Sequence, residues 1–553
     1  SILLGAAIST SHSTHKCIHD ELAKENSVEV AQDHPIGPQL HSSHFQFNNG
    51  HALKKFMNQF VTVHKQTKEE AVDGWHQLRI YLDFSYANDF VAANPTVQSK
   101  YMMAARILQD TRKYFQDSLV VNYFTEMNFL GGTCKKLAIE AFKKPIDLYI
   151  VVAPENNIYL TYYASATGCY LSSRDKRPII SAYTLNFAPM TVSALSNLFL
   201  FSTFAHELTH ILGFSASLYQ YFLDTNYADS ANPVSLGSAE SKKANYQVQV
   251  DLPVSGGLSK ETFSLLTLTE LVSYAREYYG CPTLVGVPLE NNGTSATIGS
   301  HWEKLFLPTE YMNPTVENPG IISEFTFALL RSSGWYKTKI GAAQYYDWGK
   351  GEGCEFFKVC PQTKNKAYCL EAEKGQQVCA SEYLSKSKCN VDKLFSSSKC
   401  PMRTPLMQVC TMEPASGTTI QENEEFGPGS RCFLWKEKYW NGLVVNKPKC
   451  HFAYCQDNVI YIKHGKDVFT CSNENKDQPV TIKGALGQDI ILNCPDPEDF
   501  CEEFAYRCPD DCNNNGVCLS GNKCECFLGY SGQTCSVQDT LSPDALIHNQ
   551  QTR

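Results

Sequence analysis

The chain has 553 residues, room for about three or four domains, and its 43% hydrophobic and 12% aromatic content supports packed cores and excludes a disordered chain. A net charge of −9 with a pI near 5.9, and no block of Lys or Arg, argues against a nucleic-acid or anionic-membrane partner. No run approaches the roughly 20 apolar residues that span a bilayer, so no transmembrane segment is expected.

The opening stretch Ile2–Ile8 reads as the end of a signal-peptide apolar core followed by small residues, which points to the secretory pathway. Residues 1 to about 70 are polar and hold eight of the fifteen histidines, from His12 to His64. Order is expected to begin with an alternating strand over Leu78–Phe84, followed by a helix around Tyr101–Phe115. Pro145–Val152 and Arg177–Phe187 read as buried strands, and Val192–Phe214 as a long apolar helix. The order strand, helix, strand, strand, helix predicts an α+β protein with a mixed sheet and one helix that carries the chemistry. Asn292-Gly293-Thr294 is a glycosylation sequon suited to an exposed loop.

Composition changes after Trp335. Of the 23 cysteines, 19 lie between Cys354 and Cys535, and no Cys-x-x-Cys zinc knuckle occurs. Disulfides in an oxidising compartment are the better reading, and the odd count leaves at least one thiol without an internal partner. The last six cysteines, with Gly516, Gly529, Tyr530 and Gly532 among them, resemble an EGF-like module. That resemblance implies the pairs Cys508–Cys518, Cys512–Cys524 and Cys526–Cys535. No Asp/Asn cluster ahead of Cys508 argues for calcium, so none is expected. The tail after Thr540 is polar and shows no lipid-anchor signal.

Within the apolar helix, Ala205-His206-Glu207-Leu208-Thr209-His210 carries the His-Glu-x-x-His pattern. Positions four apart stack on a helix, so both imidazoles reach one metal, and Glu207 sits beside the attacking water as general base. Zinc lowers the pKa of water to about 7, which makes a nucleophile at neutral pH. Two histidines and a glutamate are costly on a buried helix unless a metal compensates them. In metzincin zinc peptidases the third histidine follows six residues after the second, where this chain has Ala216. His301 is the remaining histidine between residues 77 and 450, which makes it the candidate third ligand, with a carboxylate as the alternative. Met312, eleven residues later, is the candidate methionine of a tight turn beneath the metal.

These residues resemble the leishmanolysin family of metzincins, known for a long insertion between the second and third zinc histidines. The supporting stretches are His206–Phe214, Gly280–Glu290, Gly299–Trp302, Gly334–Tyr336 and Gly353–Phe356, in the family's order. The resemblance implies a metzincin-type catalytic core with one catalytic Zn2+ on His206, His210 and His301, and Glu207 as acid/base. It also implies hydrolysis of peptide bonds in proteins at the cell surface or outside the cell, extracellular-matrix and surface proteins being natural substrates. The EGF-like module, the longer insertion and the missing anchor signal depart from the family and bear on membrane attachment.

The resemblance extends to His15–Asp20, where Cys17 matches a cysteine that coordinates zinc in family precursors and blocks the water. The residues agree, because Cys17 lies in the polar leader far from the other cysteines, and a thiolate would fill the open fourth position. The expected organisation is a pro-segment over 1–70 and a catalytic region over 71–345 with an insertion at 215–300. A disulfide-rich domain over 346–505, the EGF-like module at 506–536 and a tail at 537–553 follow. The rival reading is a cell-surface adhesion protein whose peptidase core is silent.

Overall fold

The computed structural model describes residues 75–539, apart from 225–245, 255–256, 292–297, 317–319, 392–400, 415–419, 484–487, most of 358–373 and a few shorter stretches, together with the backbone of residues 15–16 and 61–65. Its N-terminal part is an α+β layer structure built on four strands and two long helices. The strands are β1 (Ile80–Asp83), β2 (Leu148–Glu155), β3 (Ala164–Leu171) and β4 (Pro178–Asn186), in the spatial order β3-β4-β2-β1. β1, β2 and β4 run parallel, and β3 lies antiparallel to β4 at the edge. The parallel strands are rich in β-branched residues, and every position of β4 is buried, as a strand covered on both faces requires.

Three helices pack beside this sheet: α1 (Ser85–Ala93), α2 (Gln98–Ser118) and α3 (Ala194–Leu212). α3 touches α2, β3 and β4, and is apolar nearly all round, the pattern of a helix inside a core. Phe201, Phe204, Leu208 and Ile211 all join the main cluster. The expected strand over Leu78–Phe84 is found shortened to Ile80–Asp83, and Trp75–Gln77 before it belongs to another small sheet. Between them buried Asp147 takes the Arg79 N–H (2.8 Å) and guanidinium (3.0 Å).

The insertion after α3 contains a hairpin, β5 (Tyr246–Val254) with β6 (Gly257–Leu266), then helix α4 (Thr269–Tyr279). Gly280 ends α4 in the left-handed region at φ 67°, a position that a side chain would strain. The returning chain bridges Leu289 to Trp302, leads through α5 (Glu324–Ser332), and is stapled by Cys281–Cys354.

The C-terminal region is almost all β. A three-stranded sheet, β7 (Gln377–Cys379), β8 (Ser385–Val391) and β9 (Pro401–Val409), precedes a six-stranded antiparallel one. The latter comprises β10 (Ser430–Lys438), β11 (Val444–Gln456), β12 (Val459–His464), β13 (Asp467–Cys471), β14 (Val480–Lys483) and β15 (Asp489–Leu492), ordered β13-β12-β11-β10-β15-β14. One short helix, α6 (Pro497–Ala505), leads into the EGF-like module, which is joined by Cys508–Cys518, Cys512–Cys524 and Cys526–Cys535.

The module is docked on both halves. Phe527 packs on Phe201 of α3 at 5.2 Å between ring centroids, and the Leu528 N–H donates to Asp110 of α2 at 2.8 Å. Lys113 pairs with Glu525. On the other side Asp511 accepts both guanidinium nitrogens of Arg431, at 2.9 and 3.0 Å, and Asn514 donates to the Thr411 carbonyl.

Candidate metal centre

His206 and His210 project from one face of α3, and His301 is brought to them by the chain that returns from the insertion. That chain is pinned on both sides: the Glu290 N–H donates to the His301 carbonyl at 2.9 Å, and the Trp302 N–H to the Met312 carbonyl at 3.1 Å. All three imidazoles are fully buried. Their Nε2 atoms converge, with His206 3.1 Å from His210 and 3.3 Å from His301.

The tautomers explain why this cluster needs a cation. The His206 Nδ1 lies 2.7 Å from the Tyr311 carbonyl, and the His210 Nδ1 lies 2.7 Å from the Phe214 carbonyl. A carbonyl only accepts, so each Nδ1 carries the proton and each Nε2 presents a lone pair. Lone pairs facing one another in a dry site repel unless a cation lies between them. A tetrahedral ion with bonds of about 2.0–2.1 Å sets its nitrogens about 3.3–3.4 Å apart, so the three residues fit zinc. The bend that returns the Phe214 carbonyl to His210 follows Gly213, whose φ is 153° and whose absent Cβ would meet the Trp335 ring.

Glu207 is buried beside the histidines and accepts the Ala166 N–H at 3.1 Å. Ala166 stands on β3, opposite Tyr183 of β4, so its N–H faces the open edge of the sheet. Tyr162, just before β3, is raised above the ordinary phenol range by burial, by its hydrogen bond to Glu155 and by the charges of Glu155 and Glu207.

Met312 is fully buried in a tight turn that follows Glu310. Tyr311 ties this turn to α3 twice, by its carbonyl to His206 and by its hydroxyl to Thr209 at 2.7 Å. Glu310 anchors it from beneath, accepting from the Met312 N–H (2.6 Å), Ser323 (2.9 Å) and Thr326 (2.6 Å). Burial pushes the Glu310 carboxyl up to about 7, the three hydrogen bonds partly opposing. A cavity of about 190 Å³ lies on the far side of the turn, bordered by Phe201, Lys304, Met402 and Val517, and none of the three histidines lines it.

Four groups here escaped sequence reasoning: the Ala166 N–H, the Tyr311 and Phe214 carbonyls, and Glu310. Three are backbone groups that any residue carries, and Ala164–Leu171 is too rich in small residues to read as a strand. Cys17 and Asn292 lie outside the described residues. Sulfurs of Cys508, Cys512 and Cys524 also cluster at metal-ligand spacing, but all three are consumed by disulfides.

Comparison with known proteins finds similarity to leishmanolysin-like peptidases. A family model described as leishmanolysin matches residues 143–396, and a teneurin-like EGF domain model matches residues 508–538. A leishmanolysin-like peptidase of Drosophila melanogaster is 30% identical over 422 residues, covering 62% of this chain and 61% of the relative. Its counterpart in Drosophila pseudoobscura pseudoobscura is 26% identical over 419 residues, 61% of this chain and 60% of the relative. The ciliated left-right organizer metallopeptidase of Xenopus laevis is 30% identical over 234 residues, 41% of this chain and 29% of the relative. The chain therefore spans less than two thirds of the length of these relatives.

Proposed function

As this chain is of the leishmanolysin-like metallopeptidase family, with its peptidase domain matched over residues 143–396, we propose that it is a zinc endopeptidase acting on extended segments of proteins outside the cell or at its surface. The observation that carries the reading is the convergence of three Nε2 atoms at zinc-ligand spacing, with Glu207 alongside. His206, His210 and His301 would hold the ion, which supplies Lewis acidity that makes water nucleophilic at neutral pH.

Glu207 takes the proton of the attacking water and passes it to the leaving amine. Its bond to Ala166 fixes the orientation of the carboxylate beside the histidines. Residues of a strand alternate, so the main-chain groups of Ala164 and Gly168 share the open edge with Ala166. A substrate segment laid along β3 gains hydrogen bonds there without regard to sequence, which suits broad specificity. The Met312 turn acts as a floor: it positions His206 through Tyr311 and touches no substrate.

Residues 1–70 act as a pro-segment in this reading, with Cys17 as the thiolate that closes the fourth position. Two observations support it. The ten disulfides of the described residues use twenty of the 23 cysteines, and Cys17 is among the other three. The backbone of His15–Lys16 pairs with Thr315–Val316, directly after the Met312 turn, so the leader passes close to the centre. The density of disulfides also fits an oxidising compartment.

The test is zinc content together with casein cleavage, before and after release of the leader, with Glu207→Ala as control. One zinc per chain, latency before release and Glu207-dependent cleavage afterwards are expected. Zinc bound without cleavage after release would turn the reading toward a silent surface protein. A Cys17→Ser chain as latent as the parent would remove the thiol lock.

A further inference from the structure

The hairpin joining β10 to β11 ends in the largest exposed aromatic feature of the C-terminal region. Trp440 is 93% exposed, Leu443 55% and Val444 48%. The tip is built, not loose. The Tyr439 N–H donates to the Leu443 carbonyl and the Gly442 N–H to the Tyr439 carbonyl, each at 2.9 Å. The Leu443 N–H donates to the Asn441 side chain at 3.0 Å, and the Tyr439 hydroxyl to Glu437 at 2.6 Å. Gly442 takes φ 81°, which lets so short a turn close. Trp440 is thus held out in water by an ordered backbone, and none of the described residues covers it.

The charge around the tip reverses that of the chain. Lys436 and Lys438 on β10 and Lys447 on β11 flank it, and Lys483 lies on β14 at the same end of the sheet. Against these stand Glu437, engaged by Tyr439, and Asp489, engaged by Lys483. Four lysines against two carboxylates leave a local +2 in a chain whose net charge is −9.

We propose that this hairpin tip is a membrane-interface anchor: Trp440, Leu443 and Val444 enter the boundary between headgroups and acyl chains, and the lysine collar meets anionic headgroups. Three features select a bilayer over a protein pocket. The tip is convex and narrow, so it fits a deformable phase. Tryptophan favours the headgroup level, where its ring is half in hydrocarbon and its N–H is wet. The collar stands behind the apolar tip, as lysines do when their stems lie along the interface and their ammonium groups reach phosphate. The whole-chain charge that disfavours anionic membranes does not act at this end, since charges beyond about 10 Å are screened at ordinary salt. So small a wedge gives reversible attachment, a means of concentrating the chain at a surface without a spanning segment. The inference does not depend on the peptidase reading.

The experiment uses the full chain and sedimentation with phosphatidylcholine vesicles, with and without phosphatidylserine. Binding that rises with phosphatidylserine, falls with salt, and weakens about tenfold in Trp440→Ser with Leu443→Ser supports the anchor. In vesicles carrying brominated acyl chains, tryptophan fluorescence is quenched in the parent and not in Trp440→Phe. Lys436→Gln with Lys438→Gln abolishes the preference for phosphatidylserine. No binding to either vesicle, or equal binding by the Trp440 variant, overturns the proposal. So does Trp440-dependent capture of a purified matrix protein without vesicle binding, which assigns the tip to a protein partner. Circular dichroism spectra and melting curves unchanged from the parent show that these variants are folded.

Discussion

The two halves of the molecule solve the same problem with different materials. The peptidase half gathers Leu82, Ile150, Val152, Leu208, Trp302, Phe325 and many others into one large apolar core, with a smaller cluster around Met127, Phe129 and Val151 beside it, and Cys134–Cys169 and Cys281–Cys354 as its disulfides among the described residues. From Cys369 onward the apolar clusters are small. One of them is little more than Cys379, Cys410, Cys432 and Cys450, and among the described residues eight disulfides cross-link this region. A thin β region cannot bury enough area to hold itself by burial alone, so constraint of the unfolded chain replaces it. A buried metal centre needs the opposite: thick, dry surroundings that fix three imidazoles against their mutual repulsion. The three converging histidines lie in the half whose core can supply such surroundings.

The contrast can be broken most strongly at Trp302, which is fully buried, packs on Phe214 at 4.6 Å and donates to Thr326 at 2.9 Å. Trp302→Ala is expected to cost about 3–5 kcal/mol, all of it in the unfolding transition of the peptidase half. Calorimetry that shows both halves melting earlier together would mean one cooperative unit. Next, Cys379→Ser with Cys432→Ser opens a loop with a separation of 53 residues. It should cost about 2–4 kcal/mol in the C-terminal transition and leave casein cleavage intact. Loss of cleavage would show that the cystine region supports the site.

Metal removal sharpens the same comparison. Chelation should lower the peptidase transition alone, and zinc returned at a hundredfold excess over its dissociation constant should restore about 2.7 kcal/mol. A C-terminal transition that moves equally would place a metal there as well.

The smallest effect lies at the seam between the halves. Burial pushes Asp110 up from 3.8 to about 7, opposed by the Leu528 N–H and by Arg106 and Lys113, with Glu525 adding to the rise. The folded chain therefore keeps a proton that the unfolded chain gives up from about pH 4, and the stability it provides is lost as pH rises through 7. Asp110→Asn keeps an acceptor for Leu528 and removes the charge. It should raise stability by roughly 1–2 kcal/mol at pH 8 and change little at pH 4. Equal melting curves at pH 8 would contradict this account of the contact.

Much of the first half was legible in the sequence because its signals are periodic. β2 and β4 read as unbroken apolar runs, and α3 as an apolar helix carrying two histidines four apart. β3 was not legible, since alanine, serine and glycine give a strand no pattern, and its role comes from an N–H that no side chain announces. Glu310 looked like any turn carboxylate until Ser323 and Thr326 closed on it from α5 and its cap. In the second half the cysteines announced cross-linking but concealed the six-stranded sheet, because the spacing of cystines follows no strand period. The contacts of the EGF-like module with α2 and α3 join residues some 300–400 positions apart, a distance over which local patterning says nothing.

Those contacts alter what kind of object the module is. Elsewhere in evolution a cassette of this size is an interchangeable bead, added to a chain or dropped from it without consequence for its neighbours. Here Phe527 is part of the peptidase core and Asp511 is bolted to the β-rich domain, so the cassette is a keystone set between two arches. A chain cut before Cys508 would not simply be a shorter version of this one. It would be an arch with an open socket over α3, and any constraint on how α3 is held would reach the module as well.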